Sequence, residues 1–361
     1  MTAPRREARI RLDALAGNVE VLRGAVAPAR LMAVVKADAY GHGVLPVART
    51  AVEAGADWLG VADLHEALAL RAAGIKAPLL AWLHGAEPDF AAAVEARIEV
   101  GVSTPVQLEA AAAAGATVHL KFDTGLSRNG FAPAEVPAAL ARAAELERAG
   151  KLRVRGLMSH LSGASPHHDD VQRREFEEIA AAAVAAGLEP ELRHLAASLA
   201  GLTRPESHFE LVRVGIALYG VAPDASVDPA ASGLRPVMQL ATEVVGVRRV
   251  PAGTGVSYGY THRTPAETTL ALVPLGYADG IPRHASGRAQ VAIGGVRYPV
   301  VGRVAMDQFV VDVGDAPVRI GDEVIVWGEG APSADEWADA AGTIGYEIVT
   351  RVGPRVARVP V

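Results

Sequence analysis

Along the first two thirds of the chain, short apolar runs alternate with longer, alanine-rich stretches whose apolar positions recur at helical spacing. Eight of the runs have strand length: Leu31 to Lys36, Trp58 to Ala62, Leu79 to Leu83, Ile98 to Val102, Thr117 to Phe122, Val154 to Met158, Leu192 to Ala196 and Leu211 to Ala217. Helices are predicted between them over Val44 to Ala54, Leu64 to Ala73, Val106 to Ala114, Ala134 to Ala149 and Val171 to Ala186. Several end at an Ala-Gly pair, where Gly55, Gly74, Gly115 and Gly187 suit the left-handed residue that closes a helix. Strands alternating with helices imply a parallel α/β sheet, and eight strands close a TIM (β/α)8 barrel. An open doubly wound sheet would bring a glycine fingerprint after its first strand, and none is present.

Beyond about Pro236 the texture changes. Short Val-rich runs alternate with Gly, Pro and Asp turns: Val244 to Val250, Leu270 to Val273, Gln290 to Ile293, Val296 to Val301, Phe309 to Val313 and Glu323 to Trp327. Gly294-Gly295 between two of them is a hairpin signal. Pro223 to Leu234, rich in Pro, Ala, Ser and Asp, is the expected linker. The chain thus divides into a barrel domain over 1–235 and a mostly-β C-terminal domain over 236–361, with residues 1–9 left open to association with the β domain.

Composition narrows the function classes. A chain of 361 residues, 50% hydrophobic, buries a full core. A formal charge of −6, with no basic stripe, argues against a nucleic-acid or anionic-membrane surface. There is no cysteine, which excludes disulfides, thiol nucleophiles and thiolate metal sites. No apolar h-region follows the charged N-terminal residues and no span approaches membrane length, so a cytoplasmic location is expected. Aromatic residues make up only 5%, which gives weight to tyrosines in polar settings.

The chemistry is concentrated at the expected C-terminal strand ends, where barrel enzymes place it. Those ends carry Lys36, Lys121 with Asp123, His160, His194 with Ser198, and Arg213 with Gly215. Only four lysines stand among the 35 Lys and Arg residues, and a lysine, unlike an arginine, can be driven to the free amine by burial or a neighbouring cation. Lys36 is therefore a candidate for amine chemistry. The loops after strands seven and eight are a common phosphate site, and Ser198 and Gly215 fall there. An amine and a phosphate anchor together suggest pyridoxal 5'-phosphate (PLP), with Arg213 toward the pyridine nitrogen. His167-His168-Asp169-Asp170 has metal-like composition, but acidic residues ahead of a long helix are more simply helix stabilisers, and no metal is expected.

The stretches AVVKADAYGHG, KFDTGLSRNG, LVRVGIALYG, GVSYGY, LGYADG, VGRVAMDQ and TIGYEIVTRV occur in that order over nearly the entire chain, and together they resemble bacterial alanine racemases. The resemblance implies a PLP-bearing barrel followed by a β domain, in a head-to-tail homodimer that supplies D-alanine for peptidoglycan. It implies that Lys36 holds PLP as a Schiff base and is the base for the D-alanine hydrogen. Tyr258 is then the base for L-alanine, reaching the site from the other subunit. Tyr40, Ser198, Gly215 and Tyr346 are implied to hold the phosphate, and Arg213 the pyridine nitrogen, with His160 near the cofactor. Arg128 positions the substrate carboxylate, while Met306 and Tyr277 border the substrate pocket from the partner chain. Lys121 matches a lysine that can be carbamylated in this family.

Two bases on opposite faces of the α-carbon are what racemisation needs, and a phenol with an ordinary pKa of about 10 needs positive charge or donated hydrogen bonds to serve as one. Arginine has donors and no acceptor, so it leaves the pyridine nitrogen unprotonated and the ring a weaker electron sink, which limits transamination. The chain departs from the family at Ala197, where an asparagine commonly precedes the phosphate serine. Fold-related PLP decarboxylases rely on a cysteine this chain lacks, and a non-enzymatic PLP carrier would lack the β domain with Tyr258. A serine or broad-specificity racemase of the same fold is the alternative, because a pocket rejects an added hydroxyl poorly.

Overall fold

A computed structural model describes residues 4–361, in two compact units. One is formed by Val19–Ala39 and Val47–Leu218, the other by Tyr40–Pro46, Tyr219–Val361 and the N-terminal segment ending at Asn18.

The first unit is the (β/α)8 barrel. Its eight parallel strands are Arg30–Val34, Trp58–Val61, Leu79–Ala81, Glu99–Val102, Thr117–Lys121, Arg153–Met158, Leu192–His194 and Leu211–Val214. The first seven pair in sequence order, and the eighth pairs with the first at Leu31↔Val212. The remaining seam, between the seventh and eighth strands, is bridged by the Arg213 amide donating to the Ala196 carbonyl (3.1 Å) and by an Arg193–Glu210 ion pair. Nearly every strand residue is buried because helices cover the outside and side chains fill the inside. Met32, Trp58, Leu80, Met158, Leu192 and Leu211 form one apolar cluster, with Trp82 packed against it. Gly60 and Gly101 admit the Trp82 side chain, since a Cβ at either would collide with it.

All eight expected strands form, most of them ending earlier than the apolar run. Lys36 was expected to close the first strand, but that strand stops at Val34 and Lys36 opens the next turn. His167, His168, Asp169 and Asp170 lie inside the helix Pro166–Ala185, at its start, rather than ahead of it. Ser165 caps that helix, Asp169 accepts from the Gly163 amide (3.0 Å), and Asp170 pairs with Arg204.

The second unit is built on a nine-stranded sheet. Its order is Gly246–Val250, Thr268–Val273, Phe309–Gly314, Val296–Val301, Gln290–Ile293, Glu323–Trp327, Met238–Glu243, Glu7–Ile10 and Ala357–Pro360. The hairpin at Gly294-Gly295 forms with both glycines at positive φ, directly after the Ile293↔Val296 pair. The strand Glu7–Ile10 pairs antiparallel with Met238–Glu243 and parallel with Ala357–Pro360. Two helices accompany the strands of this mostly-β region, Ala334–Ala341 and Gly345–Thr350. The first is announced by a capping box of Ser333 and Glu336 and closed by left-handed Gly342, and its Trp337 packs edge-to-face against Trp327 with ring centroids 5.9 Å apart.

Candidate active site

Lys36 stands at the start of a helical turn, Lys36–Gly41, in which Ala37, Asp38, Ala39 and Tyr40 all have φ of 53–54°. The turn is therefore left-handed, a conformation that costs L-residues about 1–2 kcal/mol each. Glu66 supports it from the barrel side. One carboxylate oxygen accepts from the Ala37 amide (2.6 Å) and the other from the Ala62 amide (2.8 Å). Glu66 is also the negative charge that offsets the cations around Lys36. Burial first, then Arg128 and Arg213, lower the Lys36 pKa from its ordinary value, while Glu66 opposes the fall.

Lys121, at the end of its strand, is buried and pushed down to about 8, chiefly by burial and then by Arg213, Arg128 and Lys36, against Asp123. Asp123 shapes the following loop: its carboxylate accepts from the Gly125 and Ser127 amides, both at 3.0 Å. Gly125 and Gly130 take positive φ there, and a Cβ on Gly130 would strike the Phe122 and Asp123 backbone. Arg128 is carried on this loop.

Arg213 is fully enclosed in the barrel. One guanidinium nitrogen donates to His194 Nδ1 (3.0 Å) and the His194 carbonyl (2.7 Å); the other donates to the carbonyls of Ser159 (2.7 Å) and Leu195 (3.2 Å) and to His160 Nδ1 (3.0 Å). Among the described residues no carboxylate pairs with it. His160 is held neutral, down at about 3, by burial and then by Arg213, Arg128, Lys121 and Lys36. Ser198 Oγ accepts from the amides of Gly215 (3.0 Å) and Ala217 (3.4 Å), joining the loops after the last two strands. Ala197 caps the helix Ser198–Thr203 without a side-chain bond, as its identity requires.

In the second unit, Tyr40 and Tyr346 lie with ring centroids 6.3 Å apart, and Tyr40 packs on Tyr219 at 5.0 Å. Burial raises both phenols, Tyr40 strongly and Tyr346 to about 12, so each stays protonated and able to donate. Tyr258, Tyr277 and Met306 are 71%, 41% and 53% exposed. Their loops are fastened to one another. Tyr277 and Ala278 donate backbone bonds to Ala305 and Met306 carbonyls (3.1 and 3.0 Å), and Ser257 Oγ donates to the Arg303 carbonyl (2.7 Å). Buried Asp279 receives two bonds from Arg355 (2.8 and 3.0 Å), which also reaches Asp307 (2.7 Å). Ser257 and Tyr260 have positive φ around Tyr258, strain of the kind that collects at functional turns.

Within the barrel, then, the structure brings together Lys36, Lys121, Arg128, His160, Arg213, Ser198 and Gly215 on one rim. Tyr40 with Tyr346, and Tyr258 with Tyr277 and Met306, form two groups in the other unit. The sequence reading passed over Glu66, Glu99 and His119; the last two stand as polar residues inside apolar strand runs, which was the available signal.

These features define a barrel enzyme with a buried amine among cations at the strand ends. The family description "Alanine racemase, N-terminal domain" matches residues 10–223, and "Alanine racemase, C-terminal domain" matches residues 237–360. The alanine racemase of Streptomyces coelicolor is 52% identical, covering 98% of this chain and 95% of that protein, and that of Frankia casuarinae is 51% identical, covering 97% and 94%. The solved alanine racemase of the D-cycloserine producer Streptomyces lavendulae superimposes with a TM-score of 0.96 at 47% identity, over 100% of this chain and 98% of that one. The chain belongs to the alanine racemase family and is an isomerase acting on amino acids.

Proposed function

We propose that the protein interconverts L- and D-alanine with PLP by a two-base route, as a cytoplasmic homodimer supplying D-alanine for peptidoglycan. The observation that carries this reading is the pairing, on one rim, of a lysine amine whose pKa is lowered with a buried arginine, Arg213, that no carboxylate among the described residues neutralises. No helix among the described residues is long and apolar enough to cross a membrane.

The residues present fit the cofactor. Lys36 would hold it through the ε-nitrogen, Ser198 and Gly215 with Tyr40 and Tyr346 would hold its phosphate, and Arg213 would face its ring nitrogen, with neutral His160 beside that arginine. Bound PLP supplies an electron sink for the charge left on an α-carbon when its proton departs. Lys36 moves the α-proton for D-alanine. Tyr258, supplied by the second copy of the chain, does so for L-alanine from the opposite face, and its exposure in a single chain supports that assignment. Arg128 pairs with the substrate carboxylate, and Tyr277 and Met306 border the methyl group. Arg213, a donor only, leaves the ring nitrogen unprotonated and so restrains transamination.

Lys121 is proposed to add carbon dioxide. At a pKa of about 8 roughly a tenth is free amine at pH 7, far more than for an ordinary lysine, and the carbamate formed with release of a proton would place an anion among Arg213 and Arg128. Protein equilibrated with 13C-labelled bicarbonate is expected to show one carbamate resonance that Lys121→Met removes; a resonance that survives the substitution refutes the assignment.

Borohydride reduction followed by peptide mass mapping is expected to find the pyridoxyl group on the Lys36 peptide, and Lys36→Ala to abolish both the adduct and alanine racemisation. An adduct elsewhere, or none, overturns the proposal. Racemisation of serine as fast as of alanine would move it to the broad-specificity reading.

A further inference from the structure

A line of buried polar side chains runs through the barrel interior away from Arg213. His194 accepts from Arg213 at Nδ1 (3.0 Å), and its Nε2 lies 2.8 Å from His119 Nδ1. His119 Nε2 lies 2.8 Å from Glu99 Oε2, and Glu99 is closed off by Arg155 and by the Trp58 indole N–H (3.3 Å). The four members come from the eighth, seventh, fifth and fourth barrel strands, and all are buried. Gly156, opposite His119 in the sheet, leaves room for the imidazole, because a Cβ there would run into Nδ1. The neighbouring interior is apolar, and well-packed apolar residues generally serve stability as well as or better than buried charges. The line therefore calls for a role beyond stability.

Its two ends dictate its direction. Arginine can only donate and an ionised carboxylate can only accept. His194 must then carry its proton on Nε2 and donate to His119, which must carry its own on Nε2 and donate to Glu99. A second proton on His119 would leave His194 to accept at Nε2 and present an N–H to Arg213, donor against donor. Burial pulls Glu99 upward, but the hydrogen bond from His119, with the Arg155 charge and the Trp58 N–H, outweighs it and holds the carboxyl below its ordinary value. Burial, then the Arg213 charge, keep His194 neutral.

We propose that Glu99, His119 and His194 are positioning residues forming a one-way hydrogen-bond chain that holds Arg213 in a single orientation, its terminal nitrogens bound inward and its Nε–H left to face the cofactor, with no carboxylate among the described residues touching it. The chain rests on the reading that Arg213 faces the cofactor ring. Its consequence for the reaction is selectivity: a loosened guanidinium would no longer keep the ring nitrogen unprotonated, and transamination would rise relative to racemisation.

The test has two parts. In the intact enzyme labelled with 15N-histidine, two-bond 1H–15N correlations, assigned with His119→Gln and His194→Gln, are expected to show both rings as the Nε2–H form. An Nδ1–H form, or a doubly protonated ring, at either position overturns the proposal. Glu99→Gln, whose amide both donates and accepts, is then expected to mix tautomers at His119 and to raise the ratio of pyruvate formed to alanine racemised several-fold, with Glu99→Asp restoring much of the ratio. A folded Glu99→Gln that slows both reactions equally assigns the line a structural role only and also overturns it. Should borohydride trapping fail, the cofactor reading falls while the tautomer result stands or falls by itself.

Discussion

Lys121 couples the barrel rim to pH through its protonation. Its ammonium is disfavoured in the folded chain, chiefly by burial and then by Arg213 and Arg128, so its pKa falls from 10.5 to about 8 on folding. Below about 8 both folded and unfolded chains are protonated and the penalty is fully present. Between about 8 and 10.5 the unfolded chain binds more protons, and stability must rise with pH. In CO2-free buffer, urea midpoints are expected to climb across that window for the native sequence relative to Lys121→Met; a constant difference between the two would contradict the assignment. The lysines were legible because so few occur, and because Lys36 and Lys121 end apolar runs. Glu99 and His119 were not, because a single polar letter inside an apolar run does not disclose which partner crosses the barrel to meet it. Only the fold puts residues from the fourth, fifth, seventh and eighth strands in one line.

The turn Lys36–Gly41 shows what an element can hide. Its sequence, KADAYG, has no glycine until the last position and would pass for the end of a strand or an ordinary helix start. Gly41 is required where it stands: its φ is +80° and a Cβ would press on the Val349 carbonyl. The left-handed path of residues 37–40 is imposed from outside the string, in part by Glu66 on a neighbouring helix, so no local pattern announces it. A direct consequence can be measured. Ala141, exposed in the right-handed helix Val136–Arg148, should lose about 1 kcal/mol on replacement by glycine. Ala37→Gly should cost nothing or stabilise slightly, because relief of left-handed strain of about 1–2 kcal/mol offsets the added freedom of the unfolded chain. Equal losses in chemical denaturation would refute the strain. The helix Ala334–Ala341, by contrast, is announced by signals local to the string, its Ser-x-x-Glu start and Gly stop, within a region expected to be mostly β.

At the scale of the molecule, the eight apolar runs and the change of texture near Pro236 were enough to give a barrel followed by a β-rich region. The sheet order of that region was not legible, since antiparallel strands of similar composition can be threaded many ways. The exposure of Tyr258 bears on assembly. If the second copy supplies it, inactive Lys36→Ala and Tyr258→Phe chains, mixed equally and allowed to exchange, should recover up to about a quarter of native activity, since half the dimers are mixed and each holds one unmutated site. Persistent inactivity after exchange has been verified by mass would place both bases on one polypeptide.

The one-way line behind Arg213 also limits how this barrel could be re-engineered toward other PLP chemistry. Installing an acid at 213 would demand that both imidazoles turn round, leaving His119 with a lone pair against the Glu99 carboxylate. A change of reaction at the mouth therefore has to be accompanied by a change at the far end. Arg213→Glu combined with Glu99→Gln should be markedly less damaged than the sum of the single replacements predicts, and strict additivity would show that the two ends do not communicate.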